Sequence, residues 1–153
     1  MNRLFEKFVL AYYKKHHPEL KPCAKQIDWN IDKEATDIAI LPIMQTDILL
    51  TMEERKLIID TIYYSHTLQK QYDKMSIHSQ NLFQMHTYVT EYDAEHTGNV
   101  DGMLLYAKTQ EVIVPDDKMQ LKAGNTIFFR TLDLNHEFAG ICERLENLIE
   151  KEI

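Results

Sequence analysis

The stretch TDILLTMEERKLIIDTIYY, residues 46–64, decides the fold. Thr46–Thr51 and Lys56–Tyr64 are near-continuous apolar runs rich in β-branched residues, the pattern of strands buried on both faces. A hairpin turning at Glu53–Glu54 makes paired positions sum to 107. Ile48 then faces Ile59, Leu49 faces Ile58, Leu50 faces Leu57, and Asp47 faces Asp60. Glu-Glu is not a favoured two-residue hairpin loop. A longer loop with the register shifted by two would still leave both acids on one face.

Working outward, residues 2–16 read as an amphipathic helix with Leu4, Phe5, Phe8, Val9, Tyr12 and Tyr13 on one stripe, stopped by Pro18 and Pro22. Ile27, Trp29 and Ile31 alternate as in a half-buried strand, and Thr36 to Pro42 is a short apolar run, a strand or its lead-in. After the hairpin, Ser76 to about Tyr92 reads as a helix, Met103–Lys108 as a strand, Pro115–Asp117 as part of a loop and Thr126–Leu132 as a strand. Asn135 to Glu150 reads as a closing amphipathic helix. Two-sided strands with helices before, between and after them predict a three-layer α/β fold, a mixed central sheet flanked by helices.

The chain has 153 residues, room for one domain, with 44% hydrophobic and 27% charged residues and only eight Gly and Pro together, which excludes disorder as its main state. No apolar run approaches the ~20 residues that span a bilayer, and Met1–Leu10 interrupts its apolar pattern with Glu6 and Lys7, unlike a signal peptide. Cys23 and Cys142 form neither a disulfide framework nor a metal pattern, so a reduced, cytoplasmic protein with no membrane partner is expected. A net charge of −7 argues against a generic basic nucleic-acid binder. It is compatible with an enzyme that gathers its acids around a metal.

Asp is depleted in strand interiors and rarely buried alone. Directly opposed strand residues have Cβ atoms ~5 Å apart, so Asp47 and Asp60 would repel each other unless a proton or a cation lies between them. A divalent ion preferring hard oxygens is the simplest occupant, and Mg2+ uses one or two carboxylates with waters and phosphates. Taken singly, Asp47 can also be read as a turn or cap residue and Asp60 as a hydrogen-bonded strand-end residue. Both on one face of adjacent apolar strands point to a site.

So placed, the acids resemble the signature of PD-(D/E)xK nucleases. LFEKFV, LPIMQTDI, LIIDTIYY, NLFQMHTYV, GMLLYAKT and TLDLN, in that order from residue 4 to 135, resemble the C-terminal nuclease domain of the McrC family, the endonuclease subunits of McrBC 5-methylcytosine-specific restriction systems. The resemblance implies a restriction-endonuclease-like fold over residues 1–153 and Mg2+-dependent hydrolysis of DNA phosphodiesters, with Mn2+ as a second usable ion. It implies Asp47, Asp60 and Thr61 as metal ligands, and Glu6 in the first helix as an acid holding a metal-bound water. Gln84 and Tyr88 match a QxxxY element, whose spacing of four puts both on one helical face. Without the resemblance, Gln84 reads as a solvated helix residue and Tyr88 as a core aromatic. DNA is the implied substrate. An McrB-type GTP-driven subunit is the implied partner, although the upstream docking domain of the family has no counterpart in this sequence.

The departure is Ile62. The signature lysine belongs two residues after the second acid, on its face of the strand, where it orients water and stabilises transition-state charge. By analogy, loss of one such donor costs roughly 10²–10³ in rate. Lys108, closing a core strand, is the first candidate replacement. Lys56 shares the face of Asp60 but lies ~13 Å away along the strand, and Lys74 lies in the polar loop, residues 68–74, before the helix. The alternative is a catalytically impaired nuclease-like domain that binds DNA or a partner. The segment 68–74, with Lys70 and Lys74, reads either as a DNA-backbone contact or as a solvated connection. His16 and His17 suit a helix C-terminus, His78 and His86 read as surface or packing residues, and no Gly-rich phosphate loop exists.

Overall fold

The apolar stretch folds as the hairpin its pattern predicts, in a computed structural model that describes residues 2–63, 68–71, 74–77, 79–108 and 115–151. In chain order the elements are α1 (Asn2–His16), β1 (Gln26–Ile27), β2 (Met44–Gln45), β3 (Ile48–Met52), β4 (Arg55–Ile62), β5 (Leu68–Gln71), β6 (Lys74–Ile77), α2 (Ser79–Tyr92), β7 (Val100–Lys108), β8 (Asp117–Gln120), β9 (Thr126–Asp133) and α3 (Phe138–Lys151). Short 3-10 turns occupy Pro18–Leu20 and Ile38–Ile40. The pairs Ile48–Ile59, Leu49–Ile58 and Leu50–Leu57 have the register that sums to 107. The two-residue Glu53–Glu54 turn forms because Glu53 enters the left-handed region at φ 50°, a conformation costly for a residue other than Gly.

Five strands form one mixed sheet in the order β3-β4-β7-β9-β8. β4, β7 and β9 run parallel, and β3 and β8 are antiparallel edges. Odd positions of β4 and β7, among them Leu57, Ile59, Met103 and Leu105, meet Phe5, Val9, Tyr12 and Tyr13 of α1 and Ile141, Leu145 and Leu148 of α3. Even positions, among them Ile58, Ile62, Leu104 and Tyr106, meet Met85, Tyr88 and Val89 of α2 and the β1–β2 pair. The three-layer α/β architecture is therefore present. The Tyr13 hydroxyl donates to the Leu145 carbonyl at 2.8 Å, fixing α1 against α3. No helix among the described residues is long and apolar enough to cross a membrane.

Several elements differ from their sequence expectation. The alternation at Ile27–Ile31 yields only a two-residue strand. Residues 36–42 form no strand, because Asp37 accepts the Ala39 N–H at 3.1 Å and caps a 3-10 turn. The loop expected at 68–74 instead carries β5 and the start of β6, which pair antiparallel, and α2 begins at Ser79 rather than Ser76. β8 pairs with β9 where the sequence reads as loop. His78 lies outside the described residues, as do the side chains of Lys70 and Lys74, on which their DNA-contact reading rests.

α2 sits unusually close to the sheet at Gly102. A Cβ there would meet Met85 Sδ at 2.5 Å and Val89 Cγ2 at 2.8 Å. Gly102→Val should therefore push α2 away from β7 and lower stability by about 1–3 kcal/mol, the usual cost of overpacking a filled core. Chemical denaturation of the variant beside the parent measures it, and equal midpoints would refute the close-packing account.

Candidate active site

Three elements meet where β4 runs past the start of β3. Asp60 is the sixth residue of β4, on its α2-facing side, and Asp47 stands one residue before β3. Asp47 thus lies just off the ladder instead of in its last rung, and its carboxylate reaches across the end of β4. The two acids interlock through backbone amides. Asp47 N–H donates to Asp60 Oδ1 at 3.3 Å, while Thr61 N–H and Thr61 Oγ1–H both donate to Asp47 Oδ2 at 2.8 Å. On the other side of Asp60, Gln84 Nε2 donates to its Oδ2 at 3.4 Å and to the Tyr88 hydroxyl at 2.7 Å, and that hydroxyl donates to the Gln45 carbonyl at 3.3 Å. Gln84 and Tyr88 share one face of α2 because they are four residues apart.

These groups border a cavity of about 220 Å3 lined by Glu6, Asp47, Asp60, Thr61, Ile62, Asn81, Gln84 and Leu104. Among the described residues, no lysine or arginine lines it. Burial, together with the neighbouring Asp47 and Glu6, pushes the Asp60 carboxyl up to about 7. Asp47 is raised by burial against the lowering effect of its two Thr61 hydrogen bonds. Glu6 is raised by burial and by Asp47, with Arg3 and Lys7 acting in the opposite sense. Asp47 thus raises the proton affinity of both Asp60 and Glu6, and Glu6 raises that of Asp60, a repulsion that a nearby cation would relieve.

Of the residues singled out from sequence, Glu6, Asp47, Asp60, Thr61 and Gln84 line this cavity, and Tyr88 braces Gln84 from behind. Lys108 does not join them. It lies four residues beyond Leu104 in β7, and its Nζ is 3.6 Å from Asp133 Oδ2. Lys56 is at the far end of β4, bonded to the Tyr92 hydroxyl at 3.0 Å. Ile62 occupies the wall beside Asp60, as its strand position requires. Sequence reasoning missed Asn81, which lines the cavity with its Nδ2 buried and without a hydrogen-bond partner. The available signal was helical spacing, since residues 81, 84 and 88 fall on one stripe.

Among the described residues, no group of three or more His, Cys, Asp or Glu is arranged to hold a metal ion. The donors present are nonetheless hard oxygens from two adjacent carboxylates. That set suits Mg2+ or Mn2+, which keep waters and substrate oxygens in their remaining positions, better than a protein-enclosed zinc centre.

Comparison with known proteins places this architecture. The chain is 24% identical over 152 residues to the type IV methyl-directed restriction enzyme EcoKMcrBC of Escherichia coli K12, covering 99% of this chain and 43% of that protein. It superposes with a TM-score of 0.69, at 14% identity, on a chain of the tetradecameric assembly of Thermococcus gammatolerans McrB AAA+ hexamers with bound McrC, covering all of this chain and 33% of that one. The shared fold is α/β with a mixed five-stranded sheet and three helices, the restriction-endonuclease-like arrangement. This chain thus spans less than half the length of the relatives it matches. Residues 1–107, which carry α1, the β3–β4 hairpin, α2 and most of β7, match the model of the McrBC 5-methylcytosine restriction system components, and the chain belongs to that family.

Proposed function

We propose that this chain is the DNA-cleaving nuclease domain of a modification-dependent restriction system and works with Mg2+, or with Mn2+ in its place. The observation that carries the reading is the interlocked Asp47–Asp60 pair facing a cavity shared with Glu6 and backed by Gln84 and Tyr88. Asp47 and Asp60 would hold the cation, with Thr61 locking the Asp47 carboxylate in place. A divalent ion there supplies positive charge to a phosphodiester and acidifies water. Gln84 sets the orientation of Asp60, and Tyr88 holds Gln84 through the Gln45 carbonyl. Glu6 aligns a water by accepting its proton in a hydrogen bond. In the reaction, the water oxygen bonds to phosphorus and the bond from phosphorus to a sugar oxygen breaks. One water proton ends on that leaving oxygen, leaving a hydroxyl and a phosphate monoester. A McrB-type GTP-driven subunit is the proposed partner, in keeping with the McrB hexamers of the structural neighbour.

Ile62 favours a second reading, a nuclease-like module that binds DNA or its partner but cleaves poorly. Plasmid DNA incubated with Mg2+ or Mn2+ separates the two. Cleavage by the parent chain that disappears in Asp60→Ala supports the nuclease, and Gln84→Leu should weaken it about 10–100-fold, as loss of a ligand-orienting residue does. Cleavage seen only after Ile62→Lys supports the impaired module. Neither cleavage nor a metal-dependent thermal shift in any variant refutes both.

The acid pair also predicts a pH dependence for the metal-free chain. The folded-state value of Asp60, about 7, stands above the ordinary 3.8, so between these values the folded state holds a proton that the unfolded state has released. Stability from this group is fully present below pH 3.8 and is lost as pH rises to about 7. Asp60→Asn should remove that decline, and its melting temperature relative to the parent should rise across this window. Parallel melting curves against pH would refute the assignment.

A further inference from the structure

Ile62 and Asn81 face one cavity from two layers, Ile62 from β4 and Asn81 from the first turn of α2. The other side-chain donors lining it are committed. The Thr61 hydroxyl is spent on Asp47, and the Gln84 amide on Asp60 and Tyr88. Only Asn81, among the described lining residues, keeps a buried amide nitrogen with no partner. A buried donor left unpaired is costly, and such exceptions call for a reason. Here the reason is local. Ile62 stands where the resembled nuclease signature has a lysine, so the wall of the cavity at that position is apolar. An asparagine amide bound to nothing can turn about its terminal bond without breaking a hydrogen bond. A phosphodiester entering beside Asp47 and Asp60 would bring the acceptors this amide lacks.

We propose that Asn81 Nδ2–H donates to a non-bridging oxygen of the phosphodiester bound in this cavity, filling the donor role that Ile62 cannot; this rests on the nuclease reading above. Asn81 is then a catalytic residue that offers a neutral donor in place of an ammonium.

The test compares the parent, Asn81→Ala, Asn81→Asp and the double variant Ile62→Lys with Asn81→Ala. Two readouts are used: plasmid cleavage in Mg2+, and binding of a fluorescein-labelled duplex in Ca2+ by anisotropy. Alanine is the better helix former, so α2 is preserved. Asn81→Ala should lower kcat roughly 100-fold, as removal of one transition-state donor does. Asn81→Asp should fall at least as far, because its carboxylate repels the phosphate. The double variant should recover much of the loss, which a merely structural Asn81 would not allow. Parent-like cleavage by Asn81→Ala, or a double variant no better than the single, overturns the proposal and leaves the nuclease reading intact. A parent that binds duplex but does not cleave refutes the nuclease reading and, with it, the catalytic role of Asn81, whatever Asn81→Ala does to binding. A parent that neither binds nor cleaves overturns both.

Discussion

The reciprocal hold between two carboxylates is the constraint on which the rest depends. Asp47 and Asp60 are both largely withdrawn from water, and each is held by a backbone amide beside the other: Asp47 N–H on Asp60, and Thr61 N–H on Asp47. Buried like charges repel strongly where solvent cannot screen them. Hydrogen bonds to charged oxygens offset part of this, and Asp47 gains two from Thr61. The remainder is left in place as a raised proton affinity at Asp60. A fold selected for stability alone would replace such a pair with apolar residues, as the flanking Ile48, Leu49, Ile58 and Ile59 show is sterically feasible in these strands.

The rest of the architecture holds that pair still. The β3–β4 ladder carries the acids to the same end of the hairpin, while the parallel β4–β7 ladder anchors β4 in the middle of the sheet. Gly102 admits α2 to close contact, which brings Gln84 within reach of Asp60. On the opposite face, Tyr12 and Tyr13 tie α1 to α3, Tyr12 through the Glu146 carboxylate and Tyr13 through the Leu145 carbonyl, and α1 in turn places Glu6 at the cavity. Both flanking layers therefore contribute a side chain to one cleft at the C-terminal end of β4, beside the middle of β7. Ligand sites in α/β sheets form at this end because the loops and helices leaving it converge there.

How much was legible follows from which physical signals are local. The hairpin register could be read from residues 46–64 because the two apolar runs are separated only by the short polar step Glu53–Glu54, and a turn placed there fixes which residue faces which. The unfavourable Glu-Glu turn gave way to that ladder, at the cost of a left-handed Glu53. The small elements were not legible. β8 is a polar edge strand whose pairing with β9 is set by tertiary contact, and Ile38 and Ile40 look like strand residues yet sit 58% and 75% exposed on a capped turn. In the site, Asp47 and Asp60 announced themselves as acids in apolar company. Gln84 and Tyr88 needed a known pattern to stand out, and Asn81 carried only its spacing. The partnership of Lys108 with Asp133 joins the ends of neighbouring strands and has no signature in either segment alone.

The missing lysine then becomes a question of geometry more than of residue identity. A donor is useful only if it reaches the substrate oxygen beside the acids. Lys108 is on a suitable strand face but too far along β7, and its charge is answered by Asp133. Lys56 is at the wrong end of β4 and occupied by Tyr92. Moving either into the cavity would break an existing pairing and carry a long side chain past Leu104 or along the strand. Asn81 lines the same cavity from α2 with its amide nitrogen unspent, so the proposed contact would break no existing hydrogen bond. Ile62 itself packs with Tyr88, Leu104 and Tyr106 in the apolar layer beneath α2. That layer is what brings the helix, and with it Gln84, down onto Asp60.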